Sequence, residues 1–272
     1  VGDFKDNIAI VTGGASGIGE ALAEALGERG AVVVIADFNG DGARRVADAI
    51  NQRGGRAEAV VLDVSDAEDV QRLVDETVAK HGRLDLIFNN AGIGVGGETQ
   101  NLKLEDWRRV MDINLMGVIY GTTAAYRVMI EQGFGHIVNT SSLAGLVSSP
   151  GMTPYVAAKH AVVGLSKSLR VEAEAFGVKV TAVCPGFIKT GIFDAATYRS
   201  FNKEALLKQI PFTLVEPRDA ARIILRGIQK NKAIIAFPFY ARLLWFLHRL
   251  SPKLTAPLER KTIKDFRASG KP

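Results

Sequence analysis

The chain of 272 residues is 47% hydrophobic and 23% charged, which suits one large domain with a buried core and argues against disorder. Its only cysteine, Cys184, excludes an intrachain disulfide framework and a cysteine-based zinc site, and fits a reducing cytoplasm. The net charge of +5 is unevenly placed: residues 226–272 carry eleven Lys or Arg against Glu259 and Asp265, a net +9 that leaves −4 elsewhere and points away from a nucleic-acid groove.

Residues Val1 to Asp6 show neither the basic start nor the apolar core of a signal peptide, and no apolar run is long and charge-free enough to span a membrane. The first predicted strand, Ile8–Val11, runs into Thr12-Gly13-Gly14-Ala15-Ser16-Gly17-Ile18-Gly19, and a helical period covers Ile18 to Arg29. Glycines between a strand and a helix let the backbone approach a pyrophosphate, whose charge the helix N-terminus favours. A tightly packed turn can demand glycine as well, but the position after the first strand favours a dinucleotide. Gly13, Ser16, Gly17, Ile18 and Gly19 are therefore predicted cofactor contacts.

The second strand, Val32–Ile35, leads to Asp37, followed by Phe38. A carboxylate there can accept hydrogen bonds from ribose hydroxyls and would repel a 2′-phosphate, so NAD is predicted over NADP, although Arg44 or Arg45 could swing towards a phosphate. The third strand, Val60–Leu62, ends beside Asp63-Val64, where the adenine edge is expected. A helix over Ala67–Lys80, a strand over Leu84–Phe88, one long helix over Leu104–Glu131, strands over His136–Asn139 and Val178–Val183, and a helix over Pro154–Phe176 follow the same alternation. A helix over Ala220–Gln229 and a seventh strand over Ala233–Phe237 complete it, with no internal repeat. Apolar strands alternating with helices predict an α/β fold, a doubly wound, Rossmann-like parallel sheet of about seven strands with helices on both faces, spanning residues 1–237 as a single cofactor-binding catalytic domain.

In this setting five ordered motifs carry a resemblance. Thr12 to Gly19, Asn89-Asn90-Ala91-Gly92, Asn114, Ser142 with Tyr155 and Lys159, and Pro185-Gly186 with Thr190 are similar to the pattern of the short-chain dehydrogenase/reductase family, over roughly residues 5–237. The resemblance implies an oxidoreductase with Asn114, Ser142, Tyr155 and Lys159 as its catalytic tetrad. It further implies cofactor contacts at Asn90, Ala91, Gly92, Pro185, Gly186, Ile188 and Thr190, and a water anchored by Asn114.

The chemistry is also readable from the residues. Tyr155 and Lys159 are four apart on one helix and share a face. A nearby ammonium favours the phenolate, so Lys159 is expected to lower the Tyr155 pKa, letting Tyr155 exchange a proton with an alcohol oxygen that Ser142 holds. Lys159 would also bind ribose hydroxyls. Cys184 is read as buried packing, and His81, His136, His160 and His248 show no metal-ligand spacing, so no metal is predicted. Leu143, Leu146, Val147, Met152, Phe187, Ile188, Ile192 and Phe193 are expected around the reacting centre, which favours a lipophilic secondary alcohol or ketone as substrate. An NADPH-dependent carbonyl reductase and a non-catalytic dinucleotide-binding regulator are the alternatives.

Residues 238–272 depart from the family pattern. Phe239 to Leu250 predicts an amphipathic helix with Arg242 and Arg249 on one face and a broad aliphatic and aromatic remainder. The protein is expected to be a homo-oligomer, a dimer or tetramer, and three uses compete for this segment: packing across a dimer, covering the substrate pocket, and peripheral contact with a membrane. Packing on the domain or a partner subunit is placed first.

Overall fold

The computed structural model describes residues 4–192, 196–199 and 214–269. Seven parallel strands form one sheet: β1 (Ile8–Thr12), β2 (Val32–Asp37), β3 (Arg56–Val61), β4 (Leu86–Asn89), β6 (Gly135–Thr140), β7 (Val178–Pro185) and β9 (Ile234–Phe237), in the order β3-β2-β1-β4-β6-β7-β9. A separate pair, β5 (Val95–Gly96) with β8 (Thr197–Tyr198), lies outside it. The order reverses at β1, which pairs β2 on one side and β4 on the other, so a crevice opens above their carboxyl ends.

Alternation along the inner strands divides the core into two layers. Ala9, Val11, Val33 and Ile35 face α1 (Gly17–Gly27), α2 (Gly40–Gln52) and α7 (Pro217–Gln229). Ile10, Val34, Ala36 and Ile137 face α3 (Ala67–His81), α5 (Gly117–Gln132) and α6 (Thr153–Ala173). Both faces are covered, the arrangement that near-continuous apolar strands require. Each fully buried side chain such as Phe88 or Leu22 contributes on the order of 1.5–3 kcal/mol.

Two predicted elements change. The third strand starts at Arg56, four residues before the predicted Val60, because β3 is the sheet edge and reads Arg-Ala-Glu-Ala-Val-Val without an apolar run. The single helix predicted over Leu104–Glu131 is interrupted: α4 (Leu104–Met111) passes through a π-helical turn at Asp112–Met116 before α5 begins. Beyond β9, the chain forms α8 (Phe239–Leu250) and α9 (Pro252–Ser269). Among the described residues, no helix is long and apolar enough to cross a membrane.

Candidate active site

The loop from Thr12 to Gly19 and the segment after β4 are stitched together across the crevice. Thr12 Oγ1 accepts from the N–H groups of Asn90 at 3.0 Å and Ala91 at 3.1 Å, while Asn90 Nδ2 donates to Thr12 O at 3.1 Å. Gly13 has φ +65°, and a Cβ there would stand 2.8 Å from Ala91 Cα, so both conformation and space demand glycine. A Cβ on Gly19 would come within 2.8 Å of Asn90 Nδ2. Ser16 occupies the N-cap of α1 but its side chain makes no capping hydrogen bond, which leaves the first-turn N–H groups directed at the crevice. Ile18 is partly buried on the same turn.

Asp37 ends β2 with its carboxylate already oriented: Oδ2 accepts from Ala15 N at 3.0 Å and Oδ1 from Asn39 N at 2.9 Å. Both oxygens retain capacity for further donors. Arg45 donates to Ala15 O at 3.0 Å and to Glu20 at 2.7 Å, and Arg44 pairs with Asp41, so both guanidiniums are engaged. Phe38 is 79% exposed beside Asp37. Asp63 Oδ1 accepts from the backbone and hydroxyl of Ser65, bracing its own turn, while Val64 packs against the start of α5 at Gly117. These features fit a dinucleotide: a backbone cradle a Cβ would fill, an uncapped helix N-terminus, and a fixed carboxylate at the next strand end.

On the other side of the crevice, β6 ends at Thr140 and leads to Ser142, whose hydroxyl caps the short turn Leu143–Gly145 by accepting from Ala144 N at 3.1 Å. The same side chain lies close enough to the Tyr155 phenol to favour its ionised form. Lys159, one helical turn on, lies with Nζ 5.6 Å from the Tyr155 ring centroid and donates to Thr140 O at 2.9 Å. Gly92 closes the group, since a Cβ there would stand 3.2 Å from Asn114 Oδ1 and 3.5 Å from Lys159 Nζ. Asn114 sits fully buried in the π-helical turn and pairs with the Ile93 backbone, accepting at 2.8 Å and donating at 2.9 Å. All four predicted catalytic side chains thus converge.

The expected depression of the Tyr155 pKa by Lys159 is not found. Burial pushes the phenol above its usual value, opposed only in part by the Ser142 hydroxyl. Burial also lowers Lys159 to about 8. Each charged form is disfavoured by the same dry surroundings, and Lys159 directs its proton to the Thr140 carbonyl rather than to the phenol. Cys184 is buried at the end of β7 with its thiol pushed up to about 12, which suits packing rather than nucleophilic chemistry.

Pro185 and Gly186 follow on β7, with Gly186 N donating to Phe237 O at 2.7 Å. Ile188 is buried and bridges Val215, and Thr190 lies against Gly17 across a cleft of about 670 Å³ that Leu214 and Arg218 also line. Leu143, Leu146 and Val147 pack with Cys184 against Tyr240, Leu244 and Trp245 of α8, so the lipophilic wall expected there is shared with the C-terminal helices. Met152 joins a second apolar cluster with Val95, Val110 and Tyr155. Phe193 lies outside the described residues; Ile192 is partly buried.

Two contributors escaped the sequence reading. Thr12, quoted only as the start of the loop, is the hydroxyl that joins β1 to β4. Tyr240 of α8 accepts from Phe187 N at 2.7 Å, and its ring fills the space a Gly186 side chain would take, with Cζ 2.8 Å from that Cβ position. No local motif marks Tyr240, because its partner is more than fifty positions away.

A nucleotide crevice at the sheet reversal and a Ser-Tyr-Lys group beside it define an oxidoreductase of the Rossmann-like class. The family described as short chain dehydrogenase matches residues 7–199. A cyclohexanol dehydrogenase of Acinetobacter sp. (strain SE19) is 37% identical over 81% of this chain and 87% of its own length. A 3-oxoacyl-[acyl-carrier-protein] reductase of Synechocystis sp. is 39% identical over 80% of this chain and 87% of its own. A short-chain dehydrogenase/reductase from Burkholderia phymatum, solved in complex with NAD, superposes with a TM-score of 0.86 at 30% identity, covering 94% of this chain and 97% of that one. The chain belongs to the short-chain dehydrogenase/reductase family.

Proposed function

We propose that this oxidoreductase transfers hydride between NAD(H) and a lipophilic secondary alcohol or ketone, with Tyr155 as the general acid/base. The observation that carries the reading is the Ser142-Tyr155-Lys159 group, with Tyr155 and Lys159 buried, at the rim of the same crevice as the glycine loop. Gly13, Gly17, Gly19 and Asp37 would hold the adenosine and pyrophosphate, and Asn90 to Gly92, Pro185, Gly186, Ile188 and Thr190 the nicotinamide end. When bound, the dinucleotide supplies or accepts the hydride.

The protein's own groups handle the proton. Ser142, fixed by its cap to Ala144, orients the substrate oxygen towards the phenol. For reduction Tyr155 gives its proton to the carbonyl oxygen, and its raised pKa keeps that proton in place at neutral pH. For oxidation Tyr155 must first release its own proton to solvent, which its raised pKa favours only at higher pH; as phenolate it would take the alcohol proton, with Lys159 stabilising the phenolate charge, and Lys159 would also bond ribose hydroxyls. Asn114 holds the backbone at Ile93 beside Lys159 and, as in the family pattern, would anchor a relaying water. The apolar surroundings of Leu143, Leu146 and Met152 support a lipophilic substrate. The reading places the enzyme in the cytoplasm as a homo-oligomer. Assaying a panel of alcohols and ketones with NAD, NADH, NADP and NADPH tests it; turnover confined to NADP(H) would reject the cofactor assignment.

Asp37→Ser should raise the ratio of kcat/KM for NADP to that for NAD by roughly 10–100-fold, the equivalent of losing a charge-assisted hydrogen bond and the repulsion of a 2′-phosphate. Because Asp37 also accepts from Ala15 N, both cofactors should bind less tightly than NAD does to the wild type. An unchanged ratio would place the discrimination elsewhere.

Tyr240→Phe removes the hydroxyl that accepts from Phe187 N while keeping the ring against Gly186. A lost hydrogen bond of about 1 kcal/mol should raise the KM for the cofactor roughly fivefold with little change in kcat. Steady-state kinetics at saturating substrate separate the two constants, and a fall in kcat alone would deny Tyr240 this positioning role.

A further inference from the structure

Helices α8 and α9 use one side to hold the domain and leave another side uncovered. Ala241, Tyr240, Leu244 and Trp245 pack inward on Leu143, Leu146 and Val147. The hairpin is fastened at its turn, where His248 Nδ1 meets Thr255 Oγ1 at 2.9 Å and Thr255 donates to Glu259 at 2.8 Å. Its far end is tied by Arg267, which donates to Glu98 at 2.7 Å. On the outside of α8, Phe239 is 69% exposed, Leu243 43%, Phe246 57% and Leu250 64%. Their spacing of four, three and four residues places them on one stripe. Leu254 and Leu258 are exposed on α9.

The charged residues around this stripe are nearly all of one sign. Arg242, Arg249, Lys253, Arg260, Lys261 and Lys264 are exposed, whereas Glu259 is committed to Thr255 and Asp265 lies 3.9 Å from Lys261. Helix α8 carries no acidic residue. An apolar stripe flanked by arginines and lysines is complementary to a surface that is negative at its polar boundary and apolar beneath it. A second copy of the chain meets this description poorly, since a two-fold contact would bring Arg242 and Arg249 against the same cations with no acid on α8 to answer them.

We propose that the outer face of α8 and α9 docks the protein peripherally on anionic lipid. The test is co-sedimentation of the full chain with vesicles of phosphatidylcholine alone and of phosphatidylcholine mixed with phosphatidylserine. Binding is expected to the mixed vesicles and to fall steeply between low and high salt. Arg242→Gln with Arg249→Gln should weaken partitioning roughly 30-fold, the effect of removing two charges close to the surface. Phe246→Ser with Leu243→Ser should weaken it as well, while the thermal midpoint and the activity on a water-soluble substrate stay near wild type. Absence of binding, equal binding to both vesicle types, or indifference to the paired substitutions would overturn the proposal. So would a concentration-dependent dimer that Phe246→Ser dissociates, because the face would then belong to a second copy.

Discussion

Tyr155→Phe is expected to lower kcat by roughly 10³-fold, in the middle of the range for a positioned general acid/base, while leaving cofactor affinity close to wild type. The substitution removes one oxygen and keeps the ring over which Lys159 Nζ lies. Ser142 retains its own cap to Ala144, so the group that orients substrate stays in place. The loss should appear in kcat measured at saturating cofactor, with dinucleotide affinity followed separately by fluorescence. Lys159→Ala forms the contrast: it should weaken cofactor binding and turnover together, because the ammonium is assigned to both. Tyr155→Phe with near-normal turnover would remove the phenol from the mechanism, and Lys159→Ala with unchanged cofactor affinity would remove the ribose contact.

Much of this arrangement was legible because the signals are local. The apolar runs of β1, β2 and β7 match buried parallel strands, and the glycine loop sits where β1 meets α1. Tyr155 and Lys159 could be placed on one face by helical spacing alone. What the sequence concealed was set by neighbours distant along the chain. The first half of β3, from Arg56, was hidden because an edge strand needs no continuous apolar run. The π-helical turn at Asp112–Met116 leaves helical periodicity almost intact, and its purpose emerges only from the two hydrogen bonds between Asn114 and Ile93. Spacing gave the charge that could act on Tyr155 but not the burial that outweighs it. The helix over Phe239–Leu250 was legible from its spacing, whereas α9 was not placed, and nothing local said that α8 would turn Tyr240 inward and Phe239 outward.

Gly145→Ala is expected to destabilise the protein by roughly 1–3 kcal/mol, the usual cost of overpacking, and to depress activity beyond that loss of folded protein. Gly145 ends the turn that Ser142 caps, at the point where that turn touches α6. A Cβ there would lie 2.5 Å from Lys159 O and 2.8 Å from Lys159 C, and would collide with Ser141 Oγ, which itself donates to Lys159 O at 2.7 Å. These neighbours are backbone and a short side chain held between β6 and α6, so relief requires the helix to move away from the turn. That movement separates Ser142 from Tyr155 and Lys159, whose relative placement the chemistry needs to within a fraction of an ångström. Gly164, on the same helix, meets nothing within 4 Å of its would-be Cβ. Gly164→Ala should therefore stabilise α6 by about 0.5–1 kcal/mol through helix propensity and leave kinetics unchanged. Thermal or urea unfolding of the two variants, with kcat per folded molecule, separates close packing at the catalytic turn from a general effect of adding a methyl group. Equal behaviour of the two would show that the turn can shift without cost and that the contact between Gly145 and Lys159 does not set the geometry of the site.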